Sequence, residues 1–298
     1  KLLLVRAALG VACATRPAEN AYIADGVVDK KLRAELLGRL TTVCNAGQLL
    51  GPAVGGYLSL YGFAFMCRVM AGAYLASFLL GALLWEEPAR ATVDKRKLSS
   101  KARCYVACTF LSDPAIALLL LAQGCKSFGW AMSEGPEMFF LRDYYNFREK
   151  DLAMLFTAFS VASMLGGALA PTAINHLGEK RCCLAASLGC SAVMLSLVLV
   201  RTSWEPYLCF GGVGGCLNTI WSVANVALVA EACPVGSRGA VFGMTYAMKN
   251  AGFFIGPLLG GAAYTVHNFA PYVWAAGTFV VAALFYYNVK PVALSLRG

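Results

Sequence analysis

Seven ionisable residues lie inside long apolar segments of this 298-residue chain, where their chemistry needs an explanation. An ionised side chain near the centre of a bilayer costs roughly 2.5–3.5 kcal/mol on insertion scales, so each is a candidate for solute binding or proton transfer. The seven are Arg6, Arg16, Glu19, Arg68, Lys126, Glu134 and Lys249.

Lys126 and Lys249 lie deepest in their segments, about twelve and ten residues from the start. Positive charge at that depth lowers the cost of bringing in an anion, so the pair predicts an organic anion or zwitterion as ligand. Arg16 and Glu19 are three residues apart on one helix face, which fits a structural ion pair and a cavity lining equally well. Arg68 lies near a segment end and can reach the membrane surface.

Two stripes of polar and aromatic residues at helical spacing accompany these charges. Amide and hydroxyl groups between the tryptophans favour a wet cavity surface over simple packing. One stripe is Lys126, Ser127, Trp130 and Glu134, the other is Asn218, Trp221 and Asn225, and Asn250 adjoins Lys249.

The composition predicts an all-α membrane protein. The chain is 59% hydrophobic and 14% charged, with a mean hydropathy of +0.63, whereas soluble domains carry about 25% charged residues. Apolar runs of about 20 residues span a bilayer only as helices, because lipid cannot hydrogen-bond the backbone. We predict nine spans, at about 2–24, 40–60, 63–85, 114–136, 152–175, 182–200, 206–230, 240–265 and 270–289.

The net charge of +9 is explained by membrane topology. Basic residues concentrate in alternate loops, which places the polar segment 87–112 and the C-terminus in the cytoplasm and argues against a nucleic-acid partner. The predicted units are the spans in 1–86, the linker 87–112 and the spans in 113–298. Neither the two His nor the 12 Cys show metal-like or catalytic spacing, so we expect no cofactor, no metal and no enzyme.

An internal repeat relates the two ends of the chain. The pattern Gly-x-x-x-Gly-Pro-x-x-Gly-Gly begins at Gly47 and again at Gly252, an offset of 205 that also relates Arg33 to Arg238. Glycines four apart line one helix face and let another helix approach closely, and the proline bends the helix there. The predicted gating motif is Gly47, Gly51, Pro52, Gly55 and Gly56, repeated as Gly252, Gly256, Pro257, Gly260 and Gly261.

The length of the repeat predicts two pseudo-symmetric halves of six helices each. An offset of 205 residues holds six spans, but only three precede the linker. We therefore expect the first three spans of a twelve-span protein to be missing, which leaves about nine.

The chain resembles the major facilitator superfamily, and within it the drug:proton antiporters that include the tetracycline-efflux proteins. The glycine motif resembles the fifth-span antiporter motif, and Leu2, Arg6, Gly10 and Ala12 match the fourth-span motif, although Leu9 stands where glutamine is common. The resemblance implies a proton-transfer role for Arg6 and places Lys126 and Lys249 in cavity-lining spans. The loop at Asn175 and His176 departs from the family pattern, so a charge relay there is not expected.

These observations predict a monomeric multi-pass membrane transporter. It would move a small organic solute across the bilayer by alternating access, with proton antiport implied by the resemblance. Two alternatives stay open: a uniporter or symporter of an organic anion, and a non-transporting receptor or interaction protein on the same fold.

Overall fold

A computed structural model describes residues 16–27, 29–84, 113–199, 202, 204–233 and 238–289. Arg6, most of the predicted span 2–24 and the predicted linker 87–112 lie outside these residues. Within them every regular element is helical, as the composition predicts.

The described residues form ten α-helices and one π-helix. In chain order they are α1 (Arg16–Gly26), α2 (Lys30–Ser59), α3 (Phe63–Leu84), α4 (Pro114–Glu134), α5 (Glu137–Tyr145), α6 (Glu149–Leu177), α7 (Glu179–Leu199), the π-helix Tyr207–Gly214, α8 (Gly215–Ala232), α9 (Arg238–Val266) and α10 (Ala270–Asn288).

Six helical segments of the described residues are long and apolar enough to cross a membrane, and all coincide with predicted spans. They are Phe63–Leu84, Pro114–Glu134, Lys150–Leu177, Glu179–Leu199, Tyr207–Ala232 and Ala270–Asn288. The more polar helices α2 and α9 contain the predicted spans 40–60 and 240–265. Helix α2 begins ten residues before the predicted span, because Asp29 caps its first turn by accepting a hydrogen bond from the Lys31 amide at 3.0 Å.

Helix α4 is the central element of the second half of the chain. It packs against α9 on one side and α10 on another, while α10 also packs against α7 and α8 packs against α6. Two buried clusters fill this half: one, at the end where α8 stops and α9 starts, contains Phe242 and Tyr286, and the other contains Phe140, Tyr272 and Phe279. These contacts hold the Lys126 side chain of α4 inside the bundle.

Among the described residues the first half touches the second along four helix pairs, most extensively α2 with α6, then α1 with α9, α2 with α8 and α1 with α8. Small residues allow the first approach: a Cβ on Gly38 would lie 2.8 Å from the Gly167 carbonyl oxygen, and one on Gly167 would lie 2.4 Å from Thr42 Oγ1. Among the described helices, α3 has its main contact with α2, and none of its residues is buried by the described part of the chain. Helices α1 and α2 of the first half and α8 and α9 of the second enclose the space between the halves.

Candidate functional site

A cavity of about 190 Å³ lies between the two halves. Helices α1 and α2 line it from the first half, and α8 and α9 line it from the second. The lining residues are Arg16, Asn20, Leu37, Thr41, Asn45, Gln48, Asn218, Thr219, Ser222, Val223, Val226, Tyr246 and Lys249. Among these described residues only Leu37, Val223 and Val226 are aliphatic, so the cavity is strongly polar.

Two cations from different halves face this cavity. Arg16 on α1 forms an ion pair with Glu19, one helical turn on, with an N–O distance of 3.8 Å. Lys249 on α9 lies near the rings of Tyr246 and Phe253, at 5.6 and 5.8 Å from their centroids. The sequence left open whether Arg16 and Glu19 form an ion pair or line a cavity. In the structure they form the pair, and only Arg16 lines the cavity.

Lys126 is completely buried and does not line the cavity. Its ammonium lies 4.3 to 4.9 Å from the ring centroids of Trp130, Trp221 and Phe279, and it donates a hydrogen bond to Asn218 Oδ1 at 3.0 Å. Among the described residues no carboxylate lies within 4 Å of it. Aromatic faces and one amide oxygen therefore replace an ionic partner.

A buried hydrogen-bond network extends from the same region towards α10. Gln123 donates to Ser127 at 2.8 Å and accepts from Asn225 at 2.7 Å, while Tyr286 donates to the Asn225 carbonyl oxygen at 2.8 Å and accepts from the Trp221 indole at 3.1 Å. Every one of these groups has a partner, so the network specifies how α4, α8 and α10 pack.

The structure separates the members of the two sequence stripes. Of the α8 stripe, Asn218 lines the cavity, whereas Trp221 and Asn225 face the interior of the second half. On α4, Trp130 packs 5.7 Å from Phe159 and 5.8 Å from Phe210, centroid to centroid, while Glu134 lies exposed. The cavity face of α8 comprises residues 218, 219, 222, 223 and 226, because the opposite face is taken by the buried network.

Asn250 is exposed, although it is adjacent to Lys249 in sequence. Consecutive residues of an α-helix differ by about 100° in direction, so the neighbour of a lining residue points elsewhere. Arg6 lies outside the described residues, and the structure therefore says nothing of its place.

Two ion pairs join the halves at one end of the bundle, where α1 and α8 end and α2 and α9 begin; we call this end the linker side. Arg238 of α9 lies 3.4 Å from the Asp25 carboxylate and donates to the Ala24 carbonyl oxygen. In the reciprocal direction Lys30 of α2 forms an ion pair with Glu231 of α8. Each half thus contributes one acid and one base, and we call the four residues Asp25, Lys30, Glu231 and Arg238 the latch.

Arg33, the counterpart of Arg238 in the repeat, lies buried next to the latch and before the predicted span 40–60. Burial lowers the pKa of its guanidinium, and the nearby positive charge of Arg238 adds to that effect, while Glu231 opposes it. Cys233, just after α8, is also buried there, and burial raises the pKa of its thiol to about 12.

The two copies of the glycine motif occupy different surroundings. On α9, a Cβ added to Gly252, Gly256 or Gly260 would lie 2.7, 2.7 or 2.1 Å from atoms of α4, so these glycines are a contact face. On α2, the corresponding positions Gly47, Gly51 and Gly55 have no described atom within 4 Å of an added Cβ. The side chain of Pro52 and the surroundings of Gly56 lie outside what the structure describes.

Several lining residues escaped the sequence analysis, chiefly Asn20, Thr41, Asn45 and Tyr246. Uncharged polar residues in an apolar helix are less conspicuous than charges. The repeat contained one usable signal, since the offset of 205 relates Thr41 to Tyr246 and both line the cavity. Among the described residues no group of three or more His, Cys, Asp or Glu is placed to hold a metal ion.

An all-helical bundle with a polar cavity between two repeat-related halves is the architecture of a secondary transporter. The family model of the Major Facilitator Superfamily matches residues 2–133 and 119–296. The chain therefore belongs to the Major Facilitator Superfamily, and it is an integral multi-pass membrane protein.

Its curated relatives include proteins named for drug resistance. Multidrug resistance protein 2 of Bacillus subtilis is 24% identical over 274 residues, which cover 89% of this chain and 66% of that protein. Quinolone resistance protein NorA of Staphylococcus aureus is 25% identical, with 88% of this chain and 66% of the relative covered. The chain thus spans about two thirds of the length of these relatives.

A solved structure has the same fold. The human organic anion transporter MFSD10 (TETRAN) superposes with a TM-score of 0.74 at 18% identity, over 91% of this chain and 67% of that one. Family and relatives together show that this chain is a member of the superfamily that is similar to proteins of drug resistance.

Proposed function

We propose that the protein moves a small organic solute across its membrane by alternating access, with proton antiport as the driving reaction. The observation that carries this proposal is the polar cavity between the halves, together with the two ion pairs that join the halves at the linker side. The drug-resistance relatives support a small organic solute as cargo. The resemblance to proton antiporters supports the coupling ion.

The latch supports alternating access because its ion pairs are weak enough to open and close reversibly. Its ion pairs are partly exposed, with side-chain exposures of 12 and 38% for Arg238 and Asp25, and exposed pairs contribute only about 0.2–1 kcal/mol each. Such contacts can break and re-form during a transport cycle. We further propose that the linker side faces the cytoplasm, as the distribution of basic residues predicts, and that residues 1–86 and 113–298 move as the two units.

Flux through the reconstituted full-length protein tests the proposal. A fluorescent quinolone should enter proteoliposomes with an acidic lumen in a saturable manner, and a protonophore should abolish that uptake. Uptake that is stimulated by an acidic exterior instead would replace antiport by symport. Uptake that is indifferent to both gradients, or absent for quinolone, lipophilic cation and aromatic acid alike, would contradict the proposed transport cycle.

Cross-linking of the latch tests alternating access separately. Cysteines at Asp25 and Arg238, joined by a short reversible bis-thiosulfonate reagent, should arrest flux, and reduction should restore it. The two single-cysteine variants are the matched controls, and they should keep their flux in the presence of the reagent. Flux that continues through the cross-linked protein would show that the halves need not separate at this end.

A further inference from the structure

We infer that the solute is an organic anion whose acid group binds between Arg16 and Lys249. This inference rests on the proposed transport function and names the chemical class of its cargo. The two residues come from α1 and α9, and therefore from different halves of the repeat. An anion held by both would connect the halves through charge.

The two cations line the same cavity from opposite halves, so their like charges repel one another across it. Glu19 offsets part of the charge of Arg16 at 3.8 Å. The carboxylate of Glu134 offsets part of the charge of Lys249, but this side chain is exposed. Within the described part of the chain, no acid lies within 4 Å of the Lys249 ammonium. Buried Lys126 lies behind the cavity wall, so the summed charge around the cavity favours an anion.

The orientation of Asn218 points the same way. An ammonium group can only donate hydrogen bonds, so the Asn218 atom facing Lys126 at 3.0 Å must be the carbonyl oxygen. The amide N–H groups of Asn218 are then left for the cavity that this residue lines. Lys126 thus acts as a positioning residue that presents Asn218 as a donor.

Tyr246 repeats this arrangement on α9. Its phenolic oxygen accepts a hydrogen bond from the Asn20 amide at 3.0 Å, so its own O–H remains to donate to another acceptor. The cavity therefore presents donors from Arg16, Lys249, Asn218 and Tyr246. A carboxylate or sulfonate, with acceptor oxygens and negative charge, is complementary to these donors, whereas an ammonium or similar cation offers none of them an acceptor.

Such a ligand also gives a reason for the halves to approach. In the empty cavity the two like charges oppose closure, and a bound anion converts that repulsion into attraction to both sides. Because a ligand can shift an equilibrium only by its differential affinity for the two states, an anion that touches both halves prefers the state in which they are close.

Calorimetric binding to the purified full-length protein tests the site without requiring transport. Benzenesulfonate and benzoate should bind, and benzamide and tetraphenylphosphonium, which lack the anionic group, should not. Lys249→Gln should weaken benzenesulfonate binding about tenfold or more, because a hydrogen bond to a charged group contributes about 1.5–3 kcal/mol. Lys249→Arg should retain affinity within about threefold, since it keeps both charge and donors.

Arg68→Gln is the matched control, because Arg68 is an exposed cation of α3 away from the cavity. It should bind benzenesulfonate like the unmodified protein, and all variants should show unchanged thermal unfolding. Equal binding by Lys249→Gln, or preference for tetraphenylphosphonium, would overturn the anion site even if solute flux is observed. Anion binding that requires Lys249, with no flux of any solute, would leave the site standing and contradict the transport proposal instead.

Discussion

Adding one methyl group at Gly260 should separate helices α9 and α4, whereas adding it one residue further on should not. A Cβ at Gly260 would lie 2.1 Å from the carbonyl oxygen of Met132, an atom of the α4 backbone. Real Cβ atoms essentially never come within 3.0 Å of such an atom, so the helices must move apart by at least about 0.9 Å. At Gly261 the added atom would have nothing within 4 Å.

The magnitude follows from comparing the two alanine variants. Both substitutions gain the same helix propensity of about 0.8–1 kcal/mol, because both exchange glycine for alanine inside one helix. Their difference therefore isolates the steric cost, which is about 1–3 kcal/mol for overpacking of a tight contact. Gly256→Ala should fall between them, since its new Cβ would lie 2.7 Å from the side-chain Cβ of Ala131 as its nearest neighbour.

Unfolding of the purified variants in mixed micelles of increasing dodecyl sulfate fraction measures this difference. Gly260→Ala should unfold at lower dodecyl sulfate than the unmodified protein, and Gly261→Ala at the same or a higher fraction. Gly51→Ala, the repeat counterpart of Gly256→Ala, should behave like Gly261→Ala. If Gly260→Ala and Gly261→Ala unfolded together, the contact geometry argued for α9 and α4 would be refuted.

Three further variants test the latch, the buried network and the buried lysine. Asp25→Asn should loosen the latch and expose Cys233 to water, so its thiol pKa should fall from about 12 towards its ordinary value, while Arg238, whose charge lowers that pKa, stays in place. Alkylation by N-ethylmaleimide near neutral pH, followed by peptide mass spectrometry, should then rise several-fold; an unchanged rate would argue against a latch. Asn225→Leu should lower the unfolding free energy by about 1–3 kcal/mol, because its partners stay buried without hydrogen bonds. The control Asn250→Leu, at an exposed position, should change it by no more than about 0.5 kcal/mol. Equal losses in the two variants would contradict the network. Lys126→Met should keep or raise the unfolding free energy, because it removes a buried charge that has no ionic partner in the described structure. Flux in proteoliposomes should nevertheless fall about tenfold or more, because the contact with Asn218 is lost. Normal flux would show that Lys126 has no part in transport.

The sequence predicted the helical segments well because its signals for them are local. A run of apolar residues specifies a spanning helix wherever its neighbours lie, and the described spans begin and end close to the predicted bounds. The offset of 205 likewise paired Arg33 with Arg238, and both lie at the linker side of the cavity.

The sequence could not distinguish residues that share a type and a depth. Lys126 and Lys249 looked equivalent as mid-span lysines, but the first is enclosed by three aromatic rings and the second faces the cavity. Gly51 and Gly256 are related by the repeat, yet only Gly256 has a described helix against it.

By itself the sequence determined the class of protein, the helices and the relation between the two halves, since hydrophobicity, capping and repetition act along the chain. The tertiary structure decided which face of each helix meets water, lipid or another helix. That choice depends on neighbours far away in sequence: Asn218 lines the cavity while Trp221, less than one turn away, is held inside by Tyr286, 65 residues further along the chain.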